Sequence, residues 1–279
     1  MLSDKDFAFI KQLLQQEAGI SLGSDKRYLV ESRLRKLVEE LGLDSLQTLV
    51  GLLRQKRTDI LSRTLDVLTT NETLFFRDRK PFEALRQYVL PELIRKRRQY
   101  ARLSIWSAAA STGQEPYSIA ILIKEHFPSL LKWRISILAT DISPSVLEKA
   151  RQGIYSQLEV NRGLPAAYLV KYFRKIGKQW QIREDVRRMV EFRELNLVGN
   201  WPPIGPFDIV FLRNVLIYFD LATKQRVLAR VARVMRPDGY LFLGSAETTL
   251  QISTPFEPLP VPRSCCFRLK QASPATVGR

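Results

Sequence analysis

The stretch 103–127, LSIWSAAASTGQEPYSIAILIKEHF, decides the fold class of this 279-residue chain. Its first residues, 103–108, are a short apolar run that predicts a buried strand, and residues 116–127 predict a helix. Small and polar residues with one glycine, Gly113, lie between them, so the backbone there can approach a ligand closely. Because the turn has no GxGxxG and no phosphate-binding lysine, dinucleotides and nucleoside triphosphates are disfavoured. The stretch therefore predicts an open α/β sheet with a ligand crevice beside this turn.

The same alternation of strands and helices continues towards the C-terminus. Further helices are predicted to begin at Pro144, with Ser143 as the cap, and at Leu221. A turn is predicted at 236–239. The further strands are predicted at residues 135–139, 190–195, 208–212, 240–244 and, on the sheet edge, 265–269. Repeated alternation of this kind predicts a mostly parallel sheet covered by helices, a Rossmann-like α/β domain.

The first hundred residues instead show helical periodicity, with helices predicted at 27–41, 45–54, 59–68 and 81–96. A small antiparallel β-hairpin is predicted as an insertion at about 171–191, turning at Gly177. Two interpretations of the hairpin stay open, since it either pads the sheet edge or binds a peptide. We thus predict an all-helical N-terminal domain with its linker at 1–80 and the α/β domain with the insertion at 81–279.

The composition limits the classes of protein and of chemistry. Hydrophobic residues make up 45% of the chain and charged residues 26%, which predicts a folded core. No apolar run reaches the ~20 residues of a membrane-spanning helix, and the start has no secretory pattern, so we predict a cytoplasmic protein without direct membrane insertion. Cys265, Cys266 and a single histidine, His126, offer neither metal-ligand spacing nor a histidine-assisted nucleophile. We predict no metal.

The net charge of +16 indicates a polyanionic partner, which is a nucleic acid, an anionic membrane or an acidic protein surface. On the helix predicted at 27–41, three cations, Lys26, Arg33 and Lys36, share one flank. That flank is either a solvated side of the helix or a docking face for an acidic helix.

Polar residues follow the predicted strands, at the edge where parallel sheets bind ligands. Glu115 either binds an ammonium group or only favours the dipole of its helix. Asp141 either accepts hydrogen bonds from two ribose hydroxyls or caps a helix. The next strand ends at Asn196 and Leu197, which suit the polar edge and the face of an adenine, and the one after ends at Arg213-Asn214. A nucleoside site without a phosphate clamp points to S-adenosylmethionine and a methyltransferase.

At these residues the sequence strongly resembles the chemoreceptor glutamate methyltransferase family, CheR, over nearly the whole chain to about residue 270. Any one of the motifs would be suggestive, and their order and spacing are highly specific. They are TTNETLFFRD (69–78), WSAAASTGQEPYSIA (106–120), ATDIS (139–143), FLRNVLIYFD (211–220) and RPDGYLFLGSAE (236–247).

The resemblance implies a role for each site residue. The segment 69–78 matches the part of the family that joins the two domains and lines the cofactor site, so Asn71, Thr73 and Arg77 are expected at the cofactor or the reacting carboxylate. Tyr218 matches the tyrosine near the reacting methyl, which makes Arg77 and Tyr218 the catalytic candidates. The remaining cofactor-binding residues implied are Glu115 at the methionine amine, Asp141 at the ribose, Asn196 and Leu197 at the adenine, and Arg213 and Asn214 in the pocket lining.

The implied reaction transfers a methyl group from S-adenosyl-L-methionine to glutamate carboxylates of methyl-accepting chemotaxis receptors, leaving S-adenosyl-L-homocysteine. The implied partner is the cytoplasmic helical region of those receptors, docked through Lys26, Arg33 and Lys36. The short hairpin favours recognition without a receptor tether peptide. Two rival hypotheses are a nucleic-acid methyltransferase, for which no aromatic-rich RNA-binding motif is present, and a non-catalytic module that only binds the cofactor.

Overall fold

The computed structural model describes residues 1–247, 252, 254–262 and 264–270. The helices found there are α1 (Asp4–Ala18), α2 (Arg27–Glu40), α3 (Leu46–Arg54), α4 (Thr58–Leu68), α5 (Lys80–Ala84), α6 (Leu90–Arg97), α7 (Gln114–His126), α8 (Pro144–Gln152), α9 (Gln157–Asn161), α10 (Ala166–Tyr172), α11 (Glu184–Arg187) and α12 (Leu221–Arg233). The strands are β1 (Arg102–Ala108), β2 (Arg134–Asp141), β3 (Ile154–Ser156), β4 (Phe173–Ile176), β5 (Gln179–Ile182), β6 (Val190–Glu194), β7 (Phe207–Leu212), β8 (Met235–Leu243), β9 (Phe256–Pro258) and β10 (Cys266–Leu269).

The main sheet has the strand order β6-β2-β1-β7-β8-β10-β9. The first five strands in this order pair in parallel, whereas β10 is antiparallel to both β8 and β9. This confirms the predicted Rossmann-like α/β fold. Two local predictions were wrong. The strand predicted on the edge, β10, is covered by β9, and residues 236–239 form no turn but continue β8, with a register shift between Phe207 and Ile209 on β7.

Alternate side chains of the central strands enter two different apolar layers. On β1, Ile105 packs with the layer that includes α6 and α7, and its neighbour Trp106 packs with the layer under α12. On β7, Ile209 and Val210 divide in the same way. Successive side chains of a strand point to opposite faces, so burial of both faces produces the nearly continuous apolar runs from which the strands were predicted. The helix expected at 81–96 begins at Lys80 and contains a π-helical turn over Leu85–Val89.

Helices α1 to α4 have an apolar core of their own. The apolar stripe predicted for α2 is confirmed, since Val30, Leu34, Leu37 and Val38 are buried in that core. Backbone pairing also connects this helical part to the sheet: Ile20 forms a β-bridge with Phe219. Helix α4 contacts the start of α8, where Asp66 accepts hydrogen bonds from the hydroxyls of Ser143 and Ser145. The division of the chain into 1–80 and 81–279 stays a prediction.

The insertion contains one more strand than the sequence predicted. The expected hairpin is present as β4 and β5, but β5 also pairs with β3, so the small antiparallel sheet has three strands. Strand β3 has only three residues, Ile154–Ser156, which is too short to show an alternating pattern. The end of the predicted range belongs to β6, which begins at Val190 in the main sheet.

Candidate cofactor and active site

A cavity of about 360 Å³ lies at the carboxyl ends of β1, β2 and β7, between the sheet and the N-terminal helices. Its volume falls within the range of about 300–1,000 Å³ that is usual for small-molecule sites. The structure brings all ten predicted site residues to the wall of this cavity, and their individual roles stay predictions. They are Asn71, Thr73, Arg77, Glu115, Asp141, Asn196, Leu197, Arg213, Asn214 and Tyr218.

The turn after β1 forms one wall and depends on its glycine. Gly113 has a φ of +91°, and a Cβ placed there would lie 3.0 Å from the Ala150 side chain and 3.2 Å from the ring of Tyr117. Ala109 and Ser111 also have positive φ angles, of 55° and 49°. This tight path lets backbone atoms as well as side chains face the cavity, as the small residues of the turn predicted.

Asp141 ends β2 with both carboxylate oxygens held by the backbone. Oδ2 accepts a hydrogen bond from Ser111 N at 2.8 Å, and Oδ1 accepts one from Ser143 N at 3.0 Å. Burial raises the pKa of this carboxyl, although these backbone donors act against the shift. The cap of α8 is the Ser143 side chain, as predicted, so capping does not explain Asp141. Each oxygen keeps one acceptor site for a ligand hydroxyl.

Arg213 and Glu115 form a buried ion pair at the base of the cavity. Arg213 Nη1 donates to Glu115 Oε2 at 2.9 Å, and the other Glu115 oxygen accepts from Ser107 Oγ at 2.8 Å. Arg213 Nη2 reaches Asp78 Oδ2 at 2.8 Å and the backbone oxygen of Arg77 at 3.0 Å. Burial raises the pKa of Glu115, and the Arg213 charge opposes that shift. The interpretation that Glu115 only favours the dipole of its helix is therefore incomplete, because its carboxylate pairs with the Arg213 cation.

Asn196 lines the cavity but uses its side-chain amide inside the protein. Nδ2 donates to the backbone oxygen of Glu17 in α1 at 2.5 Å, and Oδ1 accepts from Val198 N at 3.0 Å. The amide therefore connects the loop after β6 to the N-terminal helices. The expected recognition of an adenine edge by Asn196 would have to share these atoms, whereas the buried side chain of Leu197 remains suited to a ring face.

The linker side of the cavity holds polar groups that are available to a ligand. Asn71 contributes its backbone oxygen to Ser111 Oγ, and Arg77 Nη1 donates to the backbone oxygen of Glu72. Within the described residues, no hydrogen bond to protein is found for the side-chain amide of Asn71 or for the hydroxyls of Thr73 and Tyr218. These side chains are half-buried at the cavity wall. Their local sequence pattern did not identify them as site residues; only the family resemblance did.

One wall of the cavity was missed by the sequence analysis. The wall is formed by the last residue of α1, by the connection between α1 and α2, and by the first part of α2; its residues are Ala18, Ile20, Ser21, Leu22, Gly23, Lys26, Leu29, Val30 and Arg33. This connection is held against the sheet by the hydrogen bond from Ser21 N to the backbone oxygen of Tyr218, at 2.8 Å. A signal was present in Gly19, which has a φ of +70° after α1, but it marks only the end of a helix.

The donor set fits S-adenosylmethionine better than a metal. Nε of Arg213 is buried without a hydrogen-bond partner among the residues that the structure describes. With the open acceptor sites of Asp141 and the linker hydroxyls, it offers contacts to a polar nucleoside of the cavity's size. No group of three His, Cys, Asp or Glu side chains suited to a metal ion occurs in residues 1–247, 252, 254–262 and 264–270. Across the same ranges, no helix has the length and apolar character needed to cross a membrane.

Comparison with known proteins agrees with this geometry. Residues 5–69 match the CheR methyltransferase all-alpha domain, and residues 71–265 match the CheR methyltransferase SAM-binding domain. The chain is 46% identical to chemotaxis protein methyltransferase 1 of Pseudomonas aeruginosa, over 88% of this chain and 90% of that protein. It is 40% identical to the chemotaxis protein methyltransferase of Vibrio parahaemolyticus, over 96% and 98% of the two chains.

The two domain matches cover both structural parts and all ten predicted site residues. The cofactor is S-adenosylmethionine, and the reaction class is methyl transfer. The chain belongs to the CheR methyltransferase family.

Proposed function

We propose that this enzyme methylates glutamate side chains of chemotaxis receptors in the cytoplasm, forming glutamate methyl esters. One observation supports the proposal most directly: the cavity wall combines the buried Arg213–Glu115 pair with half-buried polar groups on the linker, and it contains no histidine. Such a site suits an acceptor that is already anionic. The names of the relatives, chemotaxis protein methyltransferases, supply the biological context.

A carboxylate acceptor explains how the reaction proceeds without a general base. A glutamate with a pKa of about 4.3 is deprotonated at pH 7, so no proton has to be removed before attack. Bound S-adenosylmethionine supplies the electrophilic sulfonium methyl that the carboxylate oxygen takes, leaving S-adenosylhomocysteine. The protein then has to hold the acceptor oxygen in line, and correct alignment can lower a barrier by roughly 7–11 kcal/mol.

Arg77 and Tyr218 are the residues we assign to that alignment. Arg77 is half-buried at the cavity wall with one guanidinium nitrogen on the Glu72 backbone, which leaves other N–H groups for an incoming carboxylate. Partial exposure keeps this attraction moderate, and moderation matters because tight binding of the ground-state carboxylate would slow its attack. Tyr218 extends from the loop after β7, with its backbone fixed to Ser21, and its hydroxyl can orient the reacting groups.

The acceptor is proposed to be an acidic helix that docks beside α2. Lys26 and Lys36 are exposed, and the chain carries a net charge of +16. Arg33 departs from the expected docking role. Its Nη1 donates to the backbone oxygens of Leu68 and Thr69 at the end of α4, so it holds the helical part together and lines the cavity. We therefore assign docking to the two lysines without Arg33.

Labelled methyl groups test the reaction. We expect receptor-bearing membranes incubated with the enzyme and methyl-labelled S-adenosylmethionine to gain a label that mild base releases, as a carboxyl ester requires. Receptors with their acceptor glutamates replaced by alanine are the matched control and should gain none. A label that resists base, or that enters nucleic acid in a strongly salt-dependent way, would contradict the proposal.

Charge reversal tests the docking. In the Lys26→Glu, Lys36→Glu double variant, we expect receptor KM to rise about tenfold at low salt. Because Lys26 also lines the cavity, Lys36→Glu alone is the variant in which S-adenosylhomocysteine affinity should stay unchanged. The Lys132→Glu, Arg134→Glu double variant reverses two exposed charges at the amino end of β2, away from the cavity, and is the matched charge control that should leave receptor KM as it is. Equal receptor kinetics in the Lys26→Glu, Lys36→Glu variant and the wild type would remove α2 from the docking surface.

A further inference from the structure

A third buried carboxylate lies beside the cavity and was not among the predicted site residues. Glu247, just after β8, accepts three backbone hydrogen bonds. Oε2 accepts from Asn214 N at 2.8 Å and from Gly244 N at 2.6 Å, and Oε1 accepts from Leu216 N at 2.7 Å. Glu247 is 9% exposed and has no ion-pair partner among the described residues. Among the described residues, its carboxylate therefore accepts hydrogen bonds only from backbone N–H groups.

Two of its three donors belong to the loop that follows β7. This loop begins at Arg213, and residues 213–215 and 217–219 line the cavity. Asn214 adopts a φ of +59°, a left-handed conformation that asparagine tolerates better than most residues other than glycine. The hydrogen bond from its N–H to Glu247 helps to hold this conformation.

The space around the carboxylate is filled. A Cβ at Gly244 would lie 2.7 Å from Glu247 Oε2, 2.7 Å from the Asn214 amide nitrogen and 2.9 Å from Asn214 N. The end of β8, the carboxylate and the loop thus meet at a point where only glycine fits. A change in the carboxylate cannot be absorbed there without moving Asn214.

The same loop carries the groups that the reaction needs. Arg213 holds Glu115, and the backbone oxygen of Tyr218 receives Ser21 N from the helical part. A displacement of the first turn of the loop would therefore disturb the Arg213–Glu115 ion pair, the position of the Tyr218 hydroxyl and the contact with Ser21 that closes the cavity.

We propose that Glu247 is a positioning residue for methyl transfer: its carboxylate holds the loop 213–219 in the conformation that binds the cofactor. This inference rests on the cofactor site and needs no particular acceptor. Binding of S-adenosylhomocysteine measures it directly, so its failure is distinguishable from failure of the proposed glutamate methylation.

The test compares Glu247→Gln with Asp208→Asn. Asp208 is also a buried carboxylate that accepts a backbone hydrogen bond, from Ser104 N at 2.9 Å, but it lies at the amino end of β7, away from the cavity. In Glu247→Gln the amide nitrogen faces an N–H that it cannot accept from, so at least one of the three contacts is lost. Calorimetry at a temperature where both variants are folded should show S-adenosylhomocysteine binding weakened about tenfold in Glu247→Gln and unchanged in Asp208→Asn.

Steady-state kinetics add a second measure, in which Glu247→Gln should lower kcat and raise KM for S-adenosylmethionine, with KM for the acceptor unchanged. Wild-type cofactor affinity in folded Glu247→Gln would overturn the proposal, as would equal losses in both variants. If Glu247→Gln does not fold, the same measurement on Glu247→Asp, which keeps the charge but shortens the reach, decides in the same way.

Discussion

The two ends of the main sheet use the same residue types differently. At the carboxyl end, Arg213 pairs with Glu115 and retains a buried Nε without a partner among the described residues. At the amino end, Arg97 Nε donates to Asp208 at 2.8 Å and its Nη2 donates to Asp238 at 2.5 Å. The Asp208 side chain is 1% exposed and also accepts from a backbone N–H of β1.

The comparison indicates that the charged groups at the amino end stabilise the fold, whereas those at the carboxyl end bind a ligand. The amino-end network connects α6, β1, β7 and the start of β8, and the cavity does not reach it. The carboxyl-end groups are buried next to a cavity, with hydrogen-bonding capacity still available. Buried polar atoms without partners are costly. Arg236 Nε at the amino end is also buried without a hydrogen bond among the described residues, but it lies 3.2 Å from Asp208 Oδ1, whereas Arg213 lines the cavity, where a ligand best explains its free Nε.

Arg213→Met should give the largest effect, lowering both the stability of the fold and the affinity for the cofactor product. It leaves Glu115 buried without its cation, which typically costs about 3–5 kcal/mol of unfolding free energy. The lost contacts should also weaken S-adenosylhomocysteine binding about 100-fold. Urea denaturation and calorimetry measure the two. The double variant Arg213→Met, Glu115→Gln should recover stability but not binding, and recovery of both would assign the pair a structural role only.

Arg97→Ala should destabilise the fold while leaving the cofactor site intact. It removes one of the two cations at the buried Asp208, since Arg236 Nε still lies 3.2 Å away, and it also removes the partner of Asp238, with an expected loss of about 1–3 kcal/mol in unfolding free energy. S-adenosylhomocysteine affinity should stay within about twofold of wild type at a temperature where the variant is folded. A large loss of affinity would show that the two ends of the sheet are coupled.

Arg77→Ala should do the opposite of Arg97→Ala, lowering activity while leaving the stability of the fold unchanged. Its side chain makes one hydrogen bond, to a backbone oxygen in its own linker, so the melting temperature should barely change. Methyl transfer should fall about tenfold or more, equivalent to about 1.4 kcal/mol of transition-state stabilisation. Glu72→Ala, which removes the neighbouring side chain but keeps that backbone oxygen, is the control. Near-normal turnover in Arg77→Ala would place Arg77 outside the reaction.

The smallest expected effect is a difference in pH dependence. The hydrogen bond from Arg97 lowers the pKa of Asp238, so its stabilisation is present above the unfolded pKa of about 4 and is lost as the pH falls through the folded value. Burial raises the pKa of Asp141, and the sign is reversed: its favourable contribution is present below the unfolded pKa and lost as the pH rises.

Urea denaturation of wild type and Asp238→Asn between pH 3 and pH 7 measures this contribution, with pH limits set around the usual aspartate pKa of about 3.9. We expect the wild type to be more stable at pH 6 and the difference to shrink below about pH 4. A difference that is constant with pH would mean that the Asp238 charge is not what stabilises the amino end.

Much of the fold and of the candidate site could be predicted from the sequence because the signals are local. The strands β1 and β7 are apolar runs, the stripe of α2 has helical spacing, and the polar residues lie where strands end. Parallel strands bring their carboxyl ends to one edge, so residues far apart in the chain, such as Asp141 and Arg213, could be assigned to one site. The roles of Arg77 and Tyr218 came from the family resemblance, since their patterns alone are those of a surface arginine and a core aromatic.

The sequence by itself determined the order of helices and strands, the family and the edge of the sheet where ligands bind. Only the tertiary structure decided that residues 20–23 close the cavity, that Arg33 holds the end of α4, and that Glu247 holds the loop after β7. The physical reason is the range of the interaction. Periodicity and turn chemistry act over a few residues, whereas Arg213 meets Glu115 across 98 positions, and such a contact exists only after the chain has packed.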